Sequence, residues 1–510
     1  MKRYYSYFMF LSVLLVMGAC SKSDNPVVDP NKPVVKRVTT DEQFYANVFA
    51  SDVLSDVYLW SKEINSDLSK LDENTNNDPI GIVKTIRYKK NGKDVDKWTM
   101  LTDDFASFSS SVEGVETTFG WSLTAGKFYN TNNYFFIVQY VYKDSPAAKA
   151  GLKRGDIIIK IDGANITTDN YMQLFNAGSL NITMGVLKKD KTIDVGQDMA
   201  LTAVKMYEDP VLVSKVFDCG GKKVGYLAFT AFDLNSIPEL IAACKAIKAE
   251  GAKELILDLR YNGGGYVITE ELLASIFAPA DAVSAGGVFH ANIWNDKYTE
   301  YWQKKNSDQH SYLKANHKYS ASDGTTKSIN TTDANMGLTK IYAIISSGTA
   351  SASEGLLIGL MPYTPIELIG QASHGKYCTG SILSTKDLYD NKVPSSISNW
   401  GIYVMISRFV NKNGENPSMP DGLQPTTAVE DYPFDGYQLG DEHETMLKAA
   451  LIKAGKTDIV GKTMSRAANL PAYELINLHR DARFGKSIDN RPEIMKVLKE
   501  DLSKKIRVRE

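Results

Sequence analysis

Three stretches constrain the fold more than anything else in the chain: "KELILDLRYNGGG" (253–265), "TKIYAIISSGTASASE" (339–354) and "PIELIGQASHGKY" (365–377). Each begins as a short apolar run without polar alternation and ends abruptly in glycine, serine or charged text. Such runs suit strands buried on both faces. Between them lie helical patterns, "SIPELIAACKAIKAEG" (236–251) and "YVITEELLASIFA" (266–278), and a further apolar run follows the serines. Alternating strands and helices predict an α/β layer. In such layers ligands sit beyond the carboxyl ends of the strands, so polar text at three strand ends marks one candidate site.

The serine cluster has two readings. Ser351 and Glu354 have the S-x-x-E spacing of a capping box, which satisfies backbone N–H groups at a helix start. A nucleophilic serine needs the same setting: a helix N-terminus supplies unpaired N–H groups and a dipole that favours an oxyanion. It also needs a base within reach. Lys376 follows Ser351 by 25 residues; a lysine serves as base only where burial lowers its pKa from about 10.4. Ser347 and Ser353 are rival nucleophiles, and His374 a rival base whose plainer reading is loop packing. No G-x-S-x-G elbow is present. Ser311 to Lys314 has S-x-x-K spacing, but no K-T-G follows. The six histidines form no H-E-x-x-H motif or close cluster, so no metal site is expected.

At 510 residues the chain has room for roughly three domains. A formal net charge of -2 gives no electrostatic reason for a nucleic-acid partner. Lys2 and Arg3 precede an apolar stretch of signal-peptide length that ends in Gly18, Ala19 and Cys20, and a polar, proline-containing tether follows. Residues 1–19 therefore read as a signal peptide whose end resembles a bacterial lipobox, which implies a lipoprotein with Cys20 the lipidated residue and 20–37 the tether. Three widely spaced cysteines remain, Cys219, Cys244 and Cys378, which suit buried thiols better than a disulfide scaffold. Helical apolar spacing over "DEQFYANVFASDVLSDVYLWSKEIN" predicts a helical N-terminal domain at 38–112. Short strands and tight turns dominate 113–206, the α/β core spans 207–454 with an irregular insertion at 282–336, and 455–510 reads as a basic helical extension.

Two resemblances sharpen this. "SPAAKAGLKRGDIIIKIDG" (145–163) is similar to the PDZ domains of bacterial proteases. That implies a groove in which a substrate C-terminus adds as a strand, with Phe119, Gly120, Trp121 and Ser122 holding its carboxylate. With "TASASE", "GK" at 375–376, "DLRYNGGG", "VYLWSKEIN", "LTDD" and "DGLQPT", the chain resembles the C-terminal processing, or tail-specific, serine peptidases. The resemblance implies an α+β multidomain fold: a helical N-terminal domain, a PDZ-like β domain and a protease core of the crotonase-like type. It implies Ser351 as nucleophile, Lys376 as base, and the backbone N–H groups of Ala352 and Gly264 as the oxyanion hole, with no cofactor. Arg260 and Asn262 would organise the glycine loop. Many relatives place an orienting glutamine four residues after the lysine; here Gly380 stands there, leaving Thr379, Ser381 or Tyr377 to orient the base. The implied activity is an endopeptidase acting on exported proteins or peptides, lipid-anchored in the cell envelope at the outer membrane. The competing reading is a catalytically impaired, peptide-binding lipoprotein.

Overall fold

The computed structural model describes residues 36–389, 392–459, 473–476 and 486–505. The signal peptide and Cys20 lie outside the described residues. Helix α1 (Asp41–Asp56) opens at a Thr40/Gln43 capping box and buries Phe49, Val53 and Leu54. After strand β1 (Met100–Thr102) come β2 (Trp121–Phe128), β3 (Tyr134–Val141), β4 (Ile157–Ile161), the short helix α2 (Gln173–Asn176), β5 (Ser179–Leu187) and β6 (Ile193–Thr202). These five long strands form one antiparallel sheet in the order β6-β5-β4-β3-β2.

The core contributes β7 (Val211–Cys219), β8 (Lys222–Phe229), α3 (Ile237–Ala249), β9 (Glu254–Asp258), β10 (Gly264–Tyr266), α4 (Val267–Phe277) and β11 (Val288–Trp294). It continues through β12 (His310–Tyr312), β13 (Lys340–Ile345), α5 (Ala352–Leu360), β14 (Ile366–Gly370), β15 (Cys378–Ser384), β16 (Gly401–Val410), β17 (Thr427–Ala428) and α6 (Thr445–Lys453). One sheet runs β7-β8-β9-β13-β14-β17, parallel from β8 onward. The three apolar runs are thus the neighbouring strands β9, β13 and β14, and their carboxyl ends open on one side. Their buried, unalternating side chains are why they pair as a parallel layer.

Three expectations change. The N-terminal helical region has no core of its own: Phe49, Val53 and Leu54 pack in the same cluster as Ile402, Tyr403 and Leu356, and β1 pairs with β16. The 282–336 segment is ordered, since β11 joins β16 and β12, and His290 Nε2 meets the Gly355 carbonyl at 3.0 Å. Among its described residues the last segment is helical at α7 (Pro492–Lys505). Before it come two strands, β18 (Tyr473–Ile476) and β19 (Lys486–Ile488). β18 pairs with β2, while β19 inserts between β10 and β15. Strands of three or four residues carry too little periodicity to be read from sequence. Cys219, Cys244 and Cys378 are buried free thiols.

A buried ionic cluster joins the antiparallel sheet to the core. Arg154, on the loop between β3 and β4, reaches Asp431 at 2.6 Å and Glu444 at 3.2 Å and donates to Tyr261 Oη at 2.6 Å. Arg260 pairs with Asp258, Asp431 and the same Glu444. Removing one partner from such a cluster strands buried charge and costs about 3–5 kcal/mol. Arg154→Met is therefore expected to lower the melting temperature by several degrees, read by calorimetry; an unchanged melt would mean the two units dock through their other contacts.

Candidate active site

Ser351 stands at the start of α5 with φ 65° and ψ -115°. For a non-glycine residue this left-handed conformation costs on the order of 1–3 kcal/mol and persists only where the surroundings impose it. Glu354 imposes it. One carboxylate oxygen accepts the N–H groups of Ser351 and Lys376, each at 2.9 Å. The other accepts Gly375 N–H at 2.8 Å and the Ser373 hydroxyl. The capping-box glutamate thus ties the serine turn to the lysine turn. Burial pushes its carboxyl up to about 7, opposed by those four donated hydrogen bonds.

Lys376 is wholly buried, and burial lowers its ammonium to about 8. At pH 7.5 that raises the neutral fraction from about one in a thousand to roughly a quarter. Its Nζ donates to Tyr403 Oη at 2.7 Å and lies 5.4 Å from the Trp98 ring centroid. Ser351 Oγ is buried and has no close hydrogen-bond partner among the described residues. Ser353 Oγ is committed to Asn262 O and Oδ1, both at 2.9 Å, which removes it as a rival. The His374 ring sits edge-on to Trp98, its centroid 6.0 Å away, as a packing residue does. The orienting candidates Thr379 and Ser381 are engaged by the C-terminal segment, through Ser487 Oγ and the Asp489 carbonyl respectively.

The glycine loop lies against Ser351. Gly264 has φ 103°, and a Cβ there would sit 2.8 Å from Ser351 Cβ and 2.5 Å from the Lys486 carbonyl, so only glycine fits. Its N–H, expected in the oxyanion hole, is given to Asn262 Oδ1 at 2.9 Å. Ala352 N–H, at the first helical position, is one of the groups that helix geometry leaves unpaired. Asn262 also donates to the Phe229 carbonyl and Arg260 is held by carboxylates, so both organise the loop.

A cleft of about 190 Å³ runs between the antiparallel sheet and the core, lined by Trp121, Ser122 and Phe175 on one side and Gly264, Gly348 and Lys486 on the other. The proposed carboxylate loop only half fits. Trp121 and Ser122 line the cleft, but Phe119 is buried in the sheet's own core and Gly120 N–H is donated to Thr118 Oγ1. The Trp121 indole donates across to the Leu174 carbonyl at 3.1 Å, bridging β2 to the start of α2. Sequence reasoning missed the bridging reach of Glu354, together with Trp98, Tyr403 and Lys486; only Glu354 had a local signal, its S-x-x-E spacing.

Comparison with known proteins follows the same division. Peptidase family S41 matches residues 223–429, and a PDZ domain matches 137–184. The chain carries an S41 peptidase core and a PDZ domain. It is 25% identical over 319 residues to a carboxyl-terminal-processing protease of Picosynechococcus, covering 60% of this chain and 64% of that one. It is 24% identical over 284 residues to the carboxy-terminal processing protease CtpA of Bacillus subtilis, covering 54% and 51%. The chain thus spans about half to two thirds of the length of these relatives. A crystal structure of an S41 protease from Bacteroides fragilis superposes with a TM-score of 0.59 at 21% identity, over 80% of this chain and 97% of that one, and shares its fold.

Glu354 admits a direct test. In Glu354→Gln one acceptor oxygen becomes an NH₂ donor facing N–H groups, at a cost of about 1–3 kcal/mol. The expected result is a lower melting temperature and faster amide exchange across 373–376; unchanged exchange there would show that the turn is held by other contacts.

Proposed function

We propose that this protein is a serine endopeptidase of the C-terminal processing type, acting through Ser351 and Lys376 on exported proteins or peptides. The observation that carries the reading is the pair itself. A buried lysine with a depressed pKa and a conformationally forced serine are held on one carboxylate oxygen of Glu354. Neutral Lys376 takes the proton of Ser351 as Oγ attacks the scissile carbonyl carbon. The oxyanion forms at the amino end of α5, where Ala352 N–H and the helix dipole favour negative charge. Lys376 returns the proton to the leaving amine, and water releases the acyl-enzyme by the same route. The S41 match supports the peptidase reading, and the cleft between the PDZ unit and the core, lined by Gly264 and Gly348, lies beside the serine turn.

The PDZ unit would present a substrate C-terminus along the Trp121 end of β2, beside that cleft. The signal-peptide pattern and Cys20 support export and a lipid anchor, which would put the enzyme in the cell envelope at the outer membrane.

Fluorophosphonate labelling of the full-length chain across pH 6–10 tests the mechanism. Labelling is expected to rise with pH through an inflection near 8, as Lys376 loses its proton. Ser351→Ala and Lys376→Ala are each expected to lower it by at least about a hundredfold. Labelling that survives Lys376→Ala but not His374→Ala would replace lysine by histidine as base. A parent chain that stays unlabelled at every pH, even with a C-terminal peptide added, would leave the peptide-binding reading.

A further inference from the structure

Lys376 needs more than a low pKa: its lone pair must point at Ser351. The group that fixes it lies outside every motif. Tyr403, on β16, is fully buried, and its hydroxyl sits in a saturated arrangement. It donates its one proton to the Ser487 carbonyl at 2.7 Å. It accepts from Ser487 N–H at 3.0 Å and from Lys376 Nζ at 2.7 Å. Because the phenolic proton is committed, Tyr403 Oη meets the lysine only as an acceptor. A neutral amine therefore spends an N–H on it, which constrains where its lone pair can point.

The ring has room because of Gly380. A Cβ at 380 would lie 2.6 Å from both a Tyr403 ring carbon and Met405 Cε. Position 380 is where the resemblance led one to expect an orienting glutamine, and the volume a side chain would take there is filled by tyrosine from the neighbouring strand. β19 completes the device: it runs between β10 and β15 and brings the Ser487 backbone to Tyr403.

We propose that Tyr403, set by the Ser487 backbone and admitted by Gly380, is the positioning residue of Lys376. The inference rests on the reading of Lys376 as general base. Burial keeps the phenol protonated far above the working range, so Tyr403 adds no titration of its own.

The test is the pH profile of fluorophosphonate labelling in full-length Tyr403→Phe, with melting monitored alongside. Removing an acceptor from a buried ammonium favours the neutral amine, so the inflection should fall by about one unit. The plateau rate should fall about tenfold to a hundredfold as the amine loses its aim. A lower plateau with an unmoved inflection would mean that Tyr403 is structural only, and an unchanged profile would mean no role; either overturns the proposal. Gly380→Ala keeps the hydroxyl but pushes the ring, and serves if Tyr403→Phe does not fold: a smaller downward shift supports the proposal and an unmoved inflection overturns it. Lys376→Ala, run in parallel, separates these results from failure of the base assignment, since full labelling there removes the lysine whatever Tyr403 does.

Discussion

The Glu354 carboxylate is the contact on which the site depends. It lies at the junction of two turns, each of which carries a cost: one holds a serine in a conformation that L-residues avoid, the other buries a lysine. Four donors converge on the carboxylate, three of them backbone N–H groups. Backbone donors cannot rotate away, so the relative placement of the two turns follows from the position of a single side chain. The cost is a charge in a nearly dry interior, and its upward-shifted pKa is the measure of that cost. The site is therefore best organised when Glu354 is ionised, and best able to react when Lys376 is neutral. Both conditions improve toward alkaline pH.

The surrounding fold supplies what those turns cannot. Parallel β9, β13 and β14 bring their carboxyl ends side by side, so that the glycine loop, the serine turn and the lysine turn leave the same end of the sheet. The N-terminal helical region adds Trp98 as a wall of the lysine pocket, and the C-terminal segment adds β19 beside Gly264. The site is closed by parts of the chain more than 380 residues apart in sequence, which explains why one hydrophobic cluster runs through all of them.

How much of this is legible in sequence follows from the range over which each signal acts. The three strand ends and the cap at Ser351 are local patterns, and they stand where the pattern puts them. Lys376 was singled out by its turn and by family resemblance. Tyr403 was invisible because "GIYVMISRFV" reads as a buried strand in which one tyrosine is an ordinary apolar residue; only the register with β15 sets its ring over Gly380. The insertion looked irregular because β11 and β12 are short and half polar, and they become strands by pairing with β16. The Phe119-Gly120 assignment faltered on hydrogen bonding, since Thr118 claims the glycine N–H from two residues away.

β18 has one further consequence. It runs antiparallel to β2, with Tyr473 opposite Phe128 and Ile476 opposite Ala125. Among the described residues no strand pairs with the Trp121 to Thr124 part of that edge, about 13 Å of strand. A longer peptide added along β2 would have to replace this intramolecular ladder with an intermolecular one, against a strand whose effective concentration is fixed by its belonging to the same chain. Any peptide added at this edge would then enter a contest of local concentrations with β18.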